Sequence, residues 1–271
     1  MKGLIKMKKF GSLALAALLV TALSVSASAA TYEAASGSPV VDGKKDNAYA
    51  CAGIDVNLLE GDGSVATAGA TGVAYYAWDN DYFYVFVDVT DPAVTDPSKV
   101  TSIWANDSIE LYINLEGKDG AIADINAAQY TFGPSYTEFA GGGKHRTDNV
   151  DKAKSAYTYT DNGWTVELAI PWGSAYTPKV GATITGDVGI NDDSDADPSS
   201  REQHVFSAAG LGSAWQTADS NWSTIKLTDT VYVEPVAEPD ASATTADMGI
   251  VAALASLAAS GAAVLSLKKR K

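Results

Sequence analysis

The chain has 271 residues, a formal net charge of −14, 46% hydrophobic residues and one cysteine. That length holds one β domain plus terminal segments, and the lone Cys51 excludes a disulfide scaffold, so stability rests on a packed core. The acidic balance repels phosphate backbones and excludes nucleic acid as a partner.

In chain order, the first segment carries Lys2, Lys6, Lys8 and Lys9, then an uncharged stretch from Phe10 to Val25, then Ser26-Ala27-Ser28-Ala29-Ala30. A basic start, an apolar middle and an Ala-x-Ala end predict a secretory signal peptide over 1–30, cleaved after Ala29 or Ala30. At the other end, Met248 to Leu267 has no charge and runs into Lys268-Lys269-Arg270-Lys271. About 20 residues at about 1.5 Å each cross a bilayer's hydrocarbon core, and a basic cluster holds its side in the cytoplasm. The expectation is a C-terminal transmembrane anchor over 248–271, joined by an extended linker at 230–247 and leaving everything between the termini outside the cell. The tail also resembles the sorting signal of Gram-positive wall proteins, but residues 242–246 read Ser-Ala-Thr-Thr-Ala where that signal has Leu-Pro-x-Thr-Gly. Membrane retention is therefore preferred, with sortase attachment to the wall as the alternative. Eight of the 19 basic residues lie in the two terminal segments, so the exposed part sets 33 acids against 11 bases. Such a surface suits neutral ligands or divalent cations.

Residues 31–38 read as a short polar lead-in to a domain over 31–229. Three segments alternate strictly: Phe83, Val85, Val87 and Val89; Ile109, Leu111, Ile113 and Leu115; Trp164, Val166, Leu168 and Ile170. Each predicts a strand with one buried face. Weaker strands are expected at 54–58, 71–77, 128–133, 156–160, 183–190, 203–207 and 223–228. Turn signals such as Asp79-Asn80-Asp81, Gly141-Gly142-Gly143 and Asp161-Asn162-Gly163 separate them. No segment keeps a helical period over three turns. About ten short strands at this spacing predict an all-β, single antiparallel β-sandwich of jelly-roll-like form. Alternation also sets Glu110 on the face opposite Ile109 and Leu111, free to bind something or simply solvated.

Five segments then resemble, in order, the family 9 carbohydrate-binding modules and their DOMON-like β-sandwich relatives. They are Pro39-Val40-Val41-Asp42-Gly43 with Asp46 and Tyr49; Ala77-Trp78-Asp79-Asn80-Asp81-Tyr82-Phe83-Tyr84-Val85; Trp104-Ala105-Asn106-Asp107-Ser108-Ile109-Glu110; Gly163-Trp164-Thr165-Val166-Glu167-Leu168-Ala169-Ile170-Pro171-Trp172; and Val188-Gly189-Ile190-Asn191-Asp192-Asp193. The resemblance implies a non-catalytic domain that grips a sugar between two tryptophans, here Trp104 and Trp215. Aromatic faces suit the C–H faces of a pyranose, and planar polar groups suit its hydroxyl edge. It assigns hydroxyl contacts to Glu110, Gln129 and Asn191. It also marks three departures: Thr131 stands where the family has an arginine, Gly189 where it has a glutamine, and Gly212 where it has an asparagine. Trp222 is the alternative to Trp215, while Trp78, Trp164 and Trp172 are expected in the core. Family members hold structural calcium, and the run Asp192, Asp193, Asp195 and Asp197 offers the oxygens that ion takes; Asp42 and Asp46 are a weaker pair.

Other chemistries have less in the sequence. A glycosidase needs two carboxylates about 5–10 Å apart, and Glu110 with Glu167 is the pair the strands suggest. Haem held by His145 and His204 is a further alternative, because no methionine survives outside the terminal segments. The expected function is a cell-surface, non-catalytic module for polysaccharide or oligosaccharide in polysaccharide catabolism. The alternative is a structural or adhesive surface protein that kept the sandwich and lost the sugar.

Overall fold

A computed structural model of the chain describes residues 30–95, 102–134, 136, 138–195, 200–208, 217–218 and 222–234. The expected signal peptide up to residue 29, the linker beyond 234 and the anchor lie outside these residues, as do Trp215, Gly212 and Asp197. No helix among the described residues is long and apolar enough to cross a membrane.

The body that ends at Val231 is built from β1 (Thr31–Ser36), β2 (Ile54–Val56), β3 (Leu58–Leu59), β4 (Thr71–Trp78), β5 (Tyr82–Thr90), β6 (Ser108–Asn114), β7 (Gly120–Ala121), β8 (Ala127–Phe132), β9 (Ala140–Gly142), a single helix turn α1 (Lys144–Asn149), β10 (Lys154–Thr160), β11 (Gly163–Pro171), β12 (Thr183–Asp192), β13 (Gln203–Phe206), β14 (Thr217–Ala218) and β15 (Thr224–Leu227). Every segment expected as a strand is one. The main ladder runs β10-β11-β5-β4-β1-β15-β12-β6-β8-β9, with β2 beside β4 and β13 between β12 and β3. It folds back on itself. Val85, Val87 and Val89 of β5 and Trp164, Val166 and Leu168 of β11 share one core with Ile109, Leu111 and Ile113 of β6 and Val188 and Ile190 of β12. Each strand thus turns its alternate apolar residues to a common interior, the layering of a β-sandwich. Trp78, Trp164 and Trp172 are all buried there, as expected.

The lead-in at 31–38 differs in kind from its expectation. It forms β1, which lies between β4 and β15 and runs parallel to both, through Ala34↔Tyr76 and Ala34↔Leu227. The sandwich is therefore not wholly antiparallel: β1 joins its two halves along one edge. Its sequence, Thr-Tyr-Glu-Ala-Ala-Ser, lacks an apolar stripe because Ala34 and Ala35 are fully buried among larger neighbours. Small side chains let the backbone approach both partners, with the Tyr32 ring packed against Tyr76 and the core.

One buried carboxylate braces the far half. Asp187 of β12 accepts hydrogen bonds from the backbone N–H of Ser223 at 3.0 Å and from the hydroxyls of Ser207 and Ser223. Burial pushes its carboxyl up to about 7, against the opposing effect of these donors.

Candidate binding cleft

The outer face of the β6–β8–β12 half carries a cleft of about 530 Å3. Its floor comes from alternation: Glu110 of β6 stands opposite Thr131 of β8 and Gly189 of β12, so all three address the same face. Gln129, two residues before Thr131, lines it as well. Trp104 projects from a 3-10 turn over Ile103–Ala105 and is 46% exposed, although the turn's flanking residues are buried. The opposite wall is backbone. Gly141, expected in a turn, pairs with Tyr130 in the β8–β9 ladder. Its φ is 101°, and a Cβ there would lie 2.2 Å from the Gln129 carbonyl oxygen. Only glycine allows β9 to lie that close to β8.

Glu110 is the hub of the cleft. It is 3% exposed, so its charge is stabilised by contacts rather than by bulk water. The Tyr112 hydroxyl donates to Oε2, and the Asn191 amide donates to Oε1 at 3.3 Å. Arg201 Nη1 lies 3.7 Å from Oε1, and His204 Nε2 lies 3.5 Å from Oε2. Burial, reinforced by the adjacent Glu110 charge, raises the Tyr112 hydroxyl well above its ordinary range, so it stays a donor. Behind this layer, Glu60 meets His204 Nδ1 at 3.3 Å and accepts from Arg201 Nη2 at 3.2 Å. The His204 contact, aided by Arg201, holds the Glu60 carboxyl down at about 2.

Of the expected contact residues, Trp104, Glu110 and Gln129 meet in one cleft. Asn191 is on the same face, two residues from Gly189 on β12, but it lies under the cleft's lining rather than in it. Its side chain is fully buried beneath, donating to Ser108 Oγ at 2.9 Å and accepting from Arg201 Nη1 at 2.6 Å. Arg201 and His204 were not foreseen. His204 belongs to β13, where Val205 points inward, so alternation puts its ring on the outer face beside Asn191. Arg201 enters from the bend before β13, which carries no periodic signal.

A family model described as "Carbohydrate family 9 binding domain-like" matches residues 41–230. The chain belongs to family 9 of the carbohydrate-binding modules. That family comprises non-catalytic binding domains. The chain is 30% identical over 182 residues to Exoglucanase XynX of Acetivibrio thermocellus, covering 66% of this chain and 16% of that protein. It is also 30% identical over 199 residues to Endo-1,4-beta-xylanase A of Thermoanaerobacterium saccharolyticum, covering 72% and 16%. The chain thus spans about a sixth of these relatives. Its fold is similar to a family 9 module from Caldicellulosiruptor kristjanssonii solved with cellotriose, at a TM-score of 0.61, 20% identity, 77% of this chain and 100% of that one. The same module solved with glucose matches at 0.61 and 19%.

Within this family 9 module the acidic run is divided. Asp192 joins Asp91 and Asp107 in a buried group whose oxygens lie within 4.8 Å of one another. Asp193 and Asp195 gather instead with Glu202. Asp107 is pushed up to about 7 and Asp192 to about 6, in both cases chiefly by burial. Asp192 Oδ1 is buried without a hydrogen-bond partner. A buried cluster of three carboxylates, one of them with an orphaned oxygen, fits an oxygen-seeking cation such as calcium. Asp42 and Asp46 do not join such a group; their oxygens accept backbone N–H groups of their own loop.

Among the described residues, neither Glu110 with Glu167 nor His145 with His204 comes together. Glu167 is fully buried on β11, where it accepts from the Tyr49 hydroxyl at 2.8 Å and from the N–H groups of Asp42 and Gly43 at 2.9 and 3.0 Å. It fastens the 42–49 loop to the half of the sandwich that lacks the cleft, and so does not pair with Glu110. His145, on α1, meets the Tyr130 hydroxyl at 3.0 Å on the inner side of β8, whereas His204 faces outward, so the two histidines share no site. Trp222 is 1% exposed, packed with Tyr112 and Phe206, and is not available as a sugar platform.

Proposed function

We propose that this module binds polysaccharide or oligosaccharide outside the cell, without cleaving it, by laying a sugar ring on Trp104. One observation carries the reading: a half-exposed indole stands over a cleft floored by Glu110 and Gln129. Apolar stacking surface and a planar polar floor are what a pyranose requires. The module solved with cellotriose and glucose supports the same ligand class. Trp215 would supply the second wall of a tryptophan clamp. Stacking on neutral sugars is modest, so the affinity is expected in the micromolar to millimolar range, on the order of −4 to −8 kcal/mol, with avidity from many displayed copies.

A calcium ion held by Asp91, Asp107 and Asp192 would tie the turn bearing Trp104 to β12 and serve stability. The signal peptide and the apolar segment at 248–267 support retention on the outer face of the membrane, with sortase attachment to the wall as the alternative. Removing 248–271 should then release the protein into the medium, while release by a wall hydrolase would favour sortase.

The deciding experiment is titration of the protein with xylo-, cello- and manno-oligosaccharides, followed by tryptophan fluorescence and calorimetry. Saturable heat with any of them supports the reading. Silence with all three favours a structural or adhesive role, the reading that Thr131 and Gly189 support by removing polar groups from either side of Glu110.

A further inference from the structure

Arg201 is fixed in place and still open to solvent. Its Nη1 donates to Asn191 at 2.6 Å and its Nη2 to Glu60 at 3.2 Å, yet the side chain remains 22% exposed. Its Cζ lies 5.9 Å from the centre of the Trp104 ring. A guanidinium has five N–H donors, and these two bonds leave donors for a ligand. Arg201 is also the one cation of fixed charge among the described residues that line the cleft.

The spacing to Glu110 is the telling feature. Arg201 Nη1 and Glu110 Oε1 are 3.7 Å apart, too far for a direct hydrogen bond. A single hydroxyl oxygen can sit about 2.8 Å from both atoms. It would accept from the guanidinium and donate to the carboxylate, using both of its capacities at once. A carboxylate ligand cannot donate, and it would meet Glu110 and Glu60 with only Arg201 to offset them.

Resting on the reading of the cleft as a sugar site, we propose that Arg201 is a specificity-determining residue that, with Glu110, grips one hydroxyl of a neutral sugar stacked on Trp104. His204 is a positioning residue: its Nδ1 meets Glu60, the carboxylate that accepts from the guanidinium, while its Nε2 lies 3.5 Å from Glu110. The pair selects for a hydroxyl at one ring position and against uronic acids.

The test is calorimetric titration of the full-length wild type, R201A and R201K with cellotriose, xylotriose and mannotriose. The monodeoxy forms and the uronic acid of the best-bound monosaccharide follow. Wild type should bind one trisaccharide, and R201A should bind it at least tenfold more weakly. R201K should recover little, because an ammonium lacks the planar fork. One monodeoxy sugar should lose at least tenfold against wild type but almost nothing further against R201A, and the uronic acid should not bind wild type. That coupling belongs to direct contact and would not arise from a structural role. Unchanged affinity in R201A overturns the inference, as does an equal deoxy penalty in wild type and R201A. If R201A does not fold, R201K, which keeps the charge beside Glu60, carries the same deoxy comparison. A wild type that binds none of the trisaccharides defeats the sugar reading and this inference together.

Discussion

The ring of His204 fills the space that a side chain at Gly189 would need: a Cβ built on Gly189 would lie 2.8 Å from His204 Nε2. Gly189 is therefore more than a lost polar contact. It allows a histidine from β13 to reach Glu110, the residue directly opposite Gly189 in the ladder. Gly189→Ala would push against both His204 and Phe206, the latter at 3.0 Å. Overpacking of this kind costs about 1–3 kcal/mol. Urea unfolding should show that loss, and an unchanged midpoint would mean that the ring moves aside freely.

Trp104 has the opposite character. Because its side chain is half-exposed and no described hydrogen bond uses its indole nitrogen, Trp104→Ala should leave unfolding within about 0.5 kcal/mol of wild type. Sugar affinity should fall about tenfold or more, roughly 1.4 kcal/mol. Parallel calorimetry and thermal melts check both halves. Retained affinity would move the platform to another ring.

Asp187 predicts how stability follows pH. Its folded value, about 7, exceeds the ordinary carboxylate value of 3.8. The folded state thus holds the proton more tightly than the unfolded chain. Its contribution is fully present below about pH 4 and is lost as pH rises through about 7, up to about 4 kcal/mol. Asp187→Asn should flatten this part of the curve. Chemical unfolding at intervals from pH 4 to pH 8 gives the slope, and identical slopes in the two proteins would refute the assignment.

The cation site has its own readout. Calcium at about 100-fold over its dissociation constant should stabilise the protein by about 2.7 kcal/mol. Asp107→Asn should abolish the heat of calcium binding and that gain. Scanning calorimetry with calcium and with a chelator tests this, and equal melts would show that the three carboxylates hold no ion.

The sequence reveals what large apolar residues reveal. Phe83, Val85 and Val87, or Ile109, Leu111 and Ile113, alternate because one face of each strand meets the core, and that pattern is visible without coordinates. β1 is hidden because a seam strand packed by Ala34 and Ala35 has no stripe to show. In the cleft, Trp104, Glu110 and Gln129 were legible because motif order and strand parity put them on one face. Arg201 was not, since its place depends on two acceptors from separate segments, Glu60 and Asn191. Parity at 203–206 carried a signal for His204, because an outward histidine beside outward Asn191 follows from an inward Val205. The proposed cation site was half legible: Asp192 stood in the acidic run, but Asp91 and Asp107 join it from distant loops.

Pairing of β1 with β15 links the first strand of the body to its last. The ladder of hydrogen bonds across the seam therefore cannot form until the segment from Thr31 to Leu227 is present together, which makes for slow, long-range pairing. A shortened protein beginning at Val41, where the family match starts, would leave β4 and β15 as two raw edges, and such edges recruit strands from neighbouring molecules.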